Sequence, residues 1–172
     1  LDGHGFCDTP TLELHLNFDE GSGQLVADDS GNGRDAVLGS STSVESNDPS
    51  FVCEANGYFM NFERSANQHV VVPAFTPPAI GVVSFWLKVP SLPSSRQRVF
   101  GFGDGFEIRW EANDIMFLDI NKSGSNSAVR TRSAIRASNV VRKWMHVAVV
   151  ANSTTNNWAI YLDGVLDNSG TN

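Results

Sequence analysis

The first 63 residues of this 172-residue chain contain a single base, Arg34, against twelve acids, a local net charge of −11. Residues 64–172 carry eleven bases and seven acids, so the overall charge of −7 is unevenly spread. A net negative field excludes nucleic acid as a partner of the whole chain, because its phosphates would be repelled. Cysteine is nearly absent, with only Cys7 and Cys53. Neither belongs to a C-x-x-C pair or to a Cys/His spacing, which excludes a zinc site of the usual pattern. Long apolar runs are also missing. The longest are a few residues, such as Val70, Val71 and Val72, far short of a membrane-spanning helix. No segment carries a convincing apolar stripe at the 3.6-residue period, and fifteen glycines and seven prolines break the chain at short intervals. A helical bundle is excluded on both grounds. No H-x-H, H-E-x-x-H or G-x-S-x-G pattern occurs, and Gly101-Phe102-Gly103-Asp104-Gly105 reads as a hairpin end rather than a phosphate loop.

What the chain has instead is alternation. Leu12, Leu14, Leu16 and Phe18 fall on every second position, as expected of a strand with one buried face. Segments 83–89, 106–111 and 158–163 repeat the pattern, and shorter strands are expected at 58–62, 69–72, 99–102, 115–120, 128–131 and 145–151. Asn32-Gly33, Asn56-Gly57, Asp104-Gly105 and Asp163-Gly164 are tight-turn pairs between them. At most a short helical turn fits near 76–80 or 137–142. Ten to twelve strands with turns between them predict one all-β, antiparallel domain over residues 1–172, a sandwich or a barrel. With zinc excluded and no base marked beside either thiol, Cys7 and Cys53 are expected to form a disulfide that ties the N-terminal tail, residues 1–10, to the strand at 58–62. That bond implies an oxidising compartment: secreted, periplasmic or cell-surface. Asn121 and Asn152 head glycosylation triplets, which often arise by chance. No signal peptide is visible, as expected of a mature or trimmed chain.

Phe18-Asp19-Glu20-Gly21-Ser22-Gly23, followed by Asp28-Asp29-Ser30-Gly31-Asn32-Gly33-Arg34-Asp35, resembles the opening of laminin-G-like, concanavalin A-like jelly-roll domains. Tyr58-Phe59-Met60-Asn61-Phe62, Val83-Ser84-Phe85-Trp86-Leu87-Lys88, Lys143-Trp144-Met145-His146-Val147 and Ile160-Tyr161-Leu162-Asp163-Gly164 extend the resemblance in order along nearly the whole chain. More narrowly, the N-terminal part resembles the domain carried by bacterial pilus biogenesis proteins of the MSHA type. The resemblance implies a jelly-roll sandwich and a non-catalytic extracellular recognition module whose partner is a carbohydrate or another surface ligand. The alternative is a structural or assembly domain of a pilus or adhesin system with no glycan ligand. Members usually continue beyond the Asp-Gly turn with two more strands. Here nine residues follow Asp163, so the final strand or strands are expected to be missing and the 12–18 strand to be incompletely paired.

Asp28, Ser30 and Asn32, with Gly33 after them, reproduce the first half of a calcium loop. Ca²⁺ takes six to eight oxygens, and alternate side chains on a glycine-permitted turn can converge on one ion. The resemblance implies a structural Ca²⁺ held by Asp28, Asn32 and an acid from a late strand, and that acid is missing here. The competing expectation is a turn whose Asp and Asn cap backbone amides. Glu107 and Glu111 are the carboxylates a glycosidase of this fold would use. Along a regular strand they stand about 13 Å apart, against the roughly 5–5.5 Å of a retaining enzyme, so no enzyme is expected. Trp86, which points opposite to Phe85 and Leu87, is the candidate stacking residue, with Glu107 and Arg109 as its polar ligand-binding neighbours if their strands pair. Arg130 and Arg132 share a strand face within an acid-free window, 120–143, that suits an acidic glycan or simply balances the acidic N-terminal half.

Overall fold

A strand that alternates apolar and polar residues can hide only one face, so each such strand must find both a hydrogen-bonding neighbour and a second layer. The structure is a computed structural model that describes residues 11–55, 57–91, 94–102, 106–111, 115–121, 128–132 and 141–171; side chains are left out at 106, 110–111, 115–121 and 128–132. Two units emerge, Leu1–Pro77 and Pro78–Asn172.

The first unit contains β1 (Leu25–Val26), β2 (Ala36–Leu38), β3 (Ser50–Glu54), β4 (Gly57–Asn61) and β5 (Val70–Val71). β1, β2 and β5 form an antiparallel sheet in that order, and β3 pairs with β4 as a separate hairpin. Val26, Ala36 and Leu38 are buried at its centre, with Leu16, Phe18, Phe51, Met60, Val70 and Val72 packed around them. After β2 the chain turns at Gly39, in the left-handed region at φ +62, where an added Cβ would land on Asp48 Oδ1. Glycine is required there on both counts.

The second unit contains β6 (Ile80–Leu87), β7 (Gln97–Phe102), β8 (Phe106–Glu111), β9 (Ile115–Asn121), β10 (Ala128–Arg132), β11 (Met145–Asn152), β12 (Asn157–Leu162) and β13 (Val165–Thr171). They form two four-stranded antiparallel sheets, β10-β9-β8-β7 and β13-β12-β11-β6. Ile108 from the first sheet joins Met145, Val147, Val149 and Ile160 from the second in one buried cluster, with Val83, Phe85, Leu87, Val99 and Phe100 packed against it. The unit is a β-sandwich with this cluster between its layers. Asp163 (φ 47) and Gly164 (φ 80) are both left-handed, as a two-residue type I′ hairpin between β12 and β13 demands.

The expected strands over 58–62, 69–72, 83–89, 99–102, 115–120, 128–131 and 145–151 correspond to β4 to β7 and β9 to β11, and 106–111 and 158–163 to β8 and β12. Segment 12–18 is a correction. Among the described residues it makes one bridge, Leu16 to Asp28, and no ladder; side chains take up its backbone groups, and Phe18 turns out of the extended region at φ 59. Leu16 and Phe18 still point into the core. A strand, β13, does follow the Asp163-Gly164 turn; its polar Asp-Asn-Ser-Gly run hid it from an alternation test. The short helical turn falls at Arg64–Ala66 rather than near 76–80, and 137–140 lie outside the described residues.

The packing predicts a sharp contrast on β12 and β6. Ile160→Ala, at 1% exposure, should cost about 2–5 kcal/mol in urea unfolding. Val82→Ala, at 64% exposure on the outward face, should stay within about 0.5 kcal/mol. Equal losses would contradict the face assignment.

Candidate functional site

The Asp28 turn brings its three predicted residues together, facing the main chain of residues 12–15. Asp28 Oδ1 accepts the His15 and Ser30 amides at 3.0 Å each, and Oδ2 accepts the Arg34 amide at 3.0 Å. The Asp29 amide donates to the His15 carbonyl at 2.9 Å, closing the bridge from the other side. Ser30 Oγ donates to the Glu13 carbonyl at 3.4 Å and accepts the Asn32 amide at 3.2 Å. Asn32 Nδ2 donates to the Leu12 carbonyl at 2.8 Å, and Arg34 reaches both the carbonyl and the carboxylate of Glu13. The Ser30 hydroxyl and the amides of Arg34, His15 and Ser30 outweigh burial and hold the Asp28 carboxyl far below the usual carboxylate range.

This donor set does not fit Ca²⁺. Both Asp28 oxygens face the positive ends of N–H dipoles, and a calcium shell needs oxygens instead. Among the described residues no three His, Cys, Asp or Glu side chains converge on a point. What the turn does chemically is satisfy the backbone of a segment that has no strand partner among the described residues.

The polar ligand-binding candidates gather elsewhere. Ile108 faces the sandwich core, so Glu107 and Arg109 occupy the opposite face of β8. Register places Glu107 in a cross-strand row with Gly101, Asp119 and Arg130, and Arg109 in the next row with Arg98, Phe117 and Arg132. Glu107 is gripped from three sides: Arg98 Nε lies 3.2 Å from Oε1, and Arg96 NH2 3.3 Å and Arg109 NH1 3.7 Å from Oε2. Arg109 is only 2% exposed although it lies away from the core. Burial pushes the Glu107 carboxyl up, but the Arg98 hydrogen bond and the charges of Arg98, Arg96 and Arg109 prevail, and its pKa falls below the ordinary value.

Trp86 is not a neighbour of Glu107 and Arg109. β6 pairs with β11, whereas β8 lies between β7 and β9 in the other sheet, so the indole is on the opposite outer face of the sandwich. There it is 64% exposed, with its ring centroid 5.3 Å from that of His146, its register partner. One step along, Lys88 Nζ sits 4.9 Å from the centroid of the Trp144 ring, which is 40% exposed. Lys88, Trp144 and His146 were missed as companions of Trp86. The signal was present in the parallel spacing of Trp86-Leu87-Lys88 and Trp144-Met145-His146, each with one core residue between two outward ones. Arg96 and Arg98 were likewise missed around Glu107, because a register shift between Arg98 and Phe100 sets their reach. Cys53 lies on β3 with its thiol exposed and 3.8 Å from the Glu54 carbonyl; Cys7, its expected partner, lies outside the described residues.

The family model for the concanavalin A-like lectin/glucanases superfamily matches residues 64–172. Among solved structures, the chain is similar to residues 221–444 of an S-layer domain-containing protein from Clostridium thermocellum ATCC 27405. The two share 21% identity at a TM-score of 0.51, over 91% of this chain and 71% of that one. Curated proteins yield no match.

Asp28 predicts how stability responds to acid. Its folded pKa is depressed, so its contribution is complete above its ordinary value of 3.8 and is lost as pH falls below that. The melting temperature of the native chain should therefore drop below about pH 4, and Asp28→Asn should melt lower at pH 7 with a shallower acid dependence. Chelation with EDTA should leave the native melting curve unchanged, and a marked downward shift would restore a calcium-bound turn.

Proposed function

The chain belongs to the concanavalin A-like lectin/glucanase superfamily, and from that premise we propose that it is a non-catalytic extracellular recognition module whose ligand is a carbohydrate. The observation that carries the non-catalytic half is the state of Glu107. A glycosidase acid must hold its proton near neutral pH, which requires a raised pKa. Glu107 is lowered instead, and its two oxygens are occupied by three guanidinium groups. A carboxylate held ionised in that way is poorly suited to be the proton donor of a glycosidase.

Exposed Trp86 supports the carbohydrate half, since a broad apolar face flanked by polar groups is what a sugar ring needs in order to stack and be oriented. A secreted, periplasmic or surface location accords with a recognition role. Among the described residues no helix is long and apolar enough to cross a membrane. A second reading, an assembly domain without a glycan ligand, draws on Ile80 and Val82, at 61% and 64% exposure on the same outward face as Trp86.

A glycan array probed with the whole chain separates these readings. Binding to at least one saccharide is expected, and no binding to any would leave the assembly domain as the better account. Incubation with β-glucan oligosaccharides should release no shorter products. Hydrolysis that Glu107→Gln abolishes would overturn the non-catalytic assignment.

A further inference from the structure

An open sheet edge is a row of backbone groups ready to pair with another chain, and natural edges usually carry a feature that discourages it. Three of the four end strands in the second unit do. β7 has a register shift between Arg98 and Phe100, and β10 has Arg130 and Arg132 among its five residues. β13 contains Asp167 and Gly170 and lies beside a register shift at Ile160/Tyr161. β6 has no such protection. Its eight residues, Ile80–Leu87, include no charge and no proline, and its ladder with β11 runs without a shift. Among the described residues no strand lies on its other side. Both faces of β6 are short of cover. Ile80, Val82 and Trp86 are exposed on the outer face. Val83, Phe85 and Leu87 point into the core yet are only half-buried, whereas their register partners on β11, Val149, Val147 and Met145, are buried.

We propose that β6 pairs antiparallel with β6 of a second copy of this chain, joining two four-stranded sheets into one of eight. Opposed residues in an antiparallel ladder share a face, so a two-fold pairing must set one residue opposite its own copy. Ser84, the smallest outward side chain of the strand, fits at that axis. In this register Val82 lies opposite Trp86 of the second copy on the outer face, and Val83 lies opposite Phe85 on the core face. Leu87 falls opposite Gly81, which leaves it room. The two-fold repeats each contact, and β-branched residues against aromatic ones are favourable cross-strand neighbours. A strand that is apolar on both faces is what the half-covered core lacks, and β6 is itself such a strand. A charged peptide would instead set its charges against Val82, Val83 and Phe85. The outer face stays open in the dimer, so the pairing goes beyond the carbohydrate reading and does not depend on it.

An edge of eight residues makes a small interface, so sedimentation velocity of the whole chain should show a reversible monomer–dimer equilibrium within about 1–100 μM. Ser84→Lys sets two ammonium groups against each other at the axis and should weaken the dimer about tenfold or more. Ser84 is exposed, so the variant should melt like the native chain. In a Cys7→Ser, Cys53→Ser background, Ser84→Cys should cross-link two copies under mild oxidation. Opposed Cα atoms stand about 4.5–5.5 Å apart, within disulfide reach. Val82→Cys, about 13 Å from its own copy in this register, should not cross-link. A chain that stays monomeric up to about 100 μM would overturn the second-copy assignment and leave the edge to a different strand. A dimer indifferent to Ser84→Lys would overturn β6 as the seam. Cross-linking through Val82→Cys rather than Ser84→Cys would overturn the register.

Discussion

The two-residue period of the pleat governs what this protein can present to a partner. Once Ile108 is committed to the core with Val147, Val149 and Ile160, every residue next to it in sequence is sent to an outer face. Glu107 and Arg109 are displayed because Ile108 is buried, and Trp86 because Phe85 and Leu87 are. A slip of one residue in either sheet would bury a carboxylate and an indole and expose the apolar set. The core therefore fixes the register, and the register fixes the chemistry of both faces.

The two faces that result are chemically distinct. The β7–β10 face concentrates charge around Glu107, where two exposed arginines and one buried arginine surround the carboxylate. Arrangements of this kind stiffen a surface and lock ionisation states, and they leave little freedom for proton transfer. The β6–β11 face is apolar and aromatic, with charge confined to one end. An exposed indole, an imidazole and a lysine held over a second indole give an aromatic surface with directional polar groups at its margin.

How far this could be read from the residues depends on whether the controlling interaction is local. Alternation located most strands, and Asp163-Gly164 announced a type I′ hairpin, because both depend on a few adjacent side chains. Alternation in Leu12, Leu14, Leu16 and Phe18 correctly pointed Leu16 and Phe18 inward but misjudged how the segment is held. A carboxylate thirteen residues away, Asp28, takes the amide that a neighbouring strand would have taken. The separation of Trp86 from Glu107 and Arg109 was invisible for a related reason. Period two says which face of its own strand a residue occupies and nothing about which sheet that strand joins. β6 pairs with β11 across more than fifty intervening residues, and only the long-range packing of Val83 and Phe85 against Val147 and Val149 decides it.

The Asp28 turn shows why a motif of the right elements need not perform the chemistry it suggests. Asp, Ser and Asn at alternate positions before glycine supply the oxygens a cation wants, and the same oxygens are the best acceptors for stranded backbone amides. Which use prevails depends on what lies opposite. Here the facing segment, residues 12–15, offers amides and carbonyls that no strand among the described residues satisfies, and leaving such groups unpaired is costly. Asp28 meets one of those donors, the His15 amide, together with the Ser30 and Arg34 amides of its own turn; Asn32 and Arg34 meet the acceptors, and the depressed pKa of Asp28 follows from the Ser30 hydroxyl and these amide contacts. The acidity of the N-terminal half is thus partly structural: at this turn, negative charge caps backbone amides.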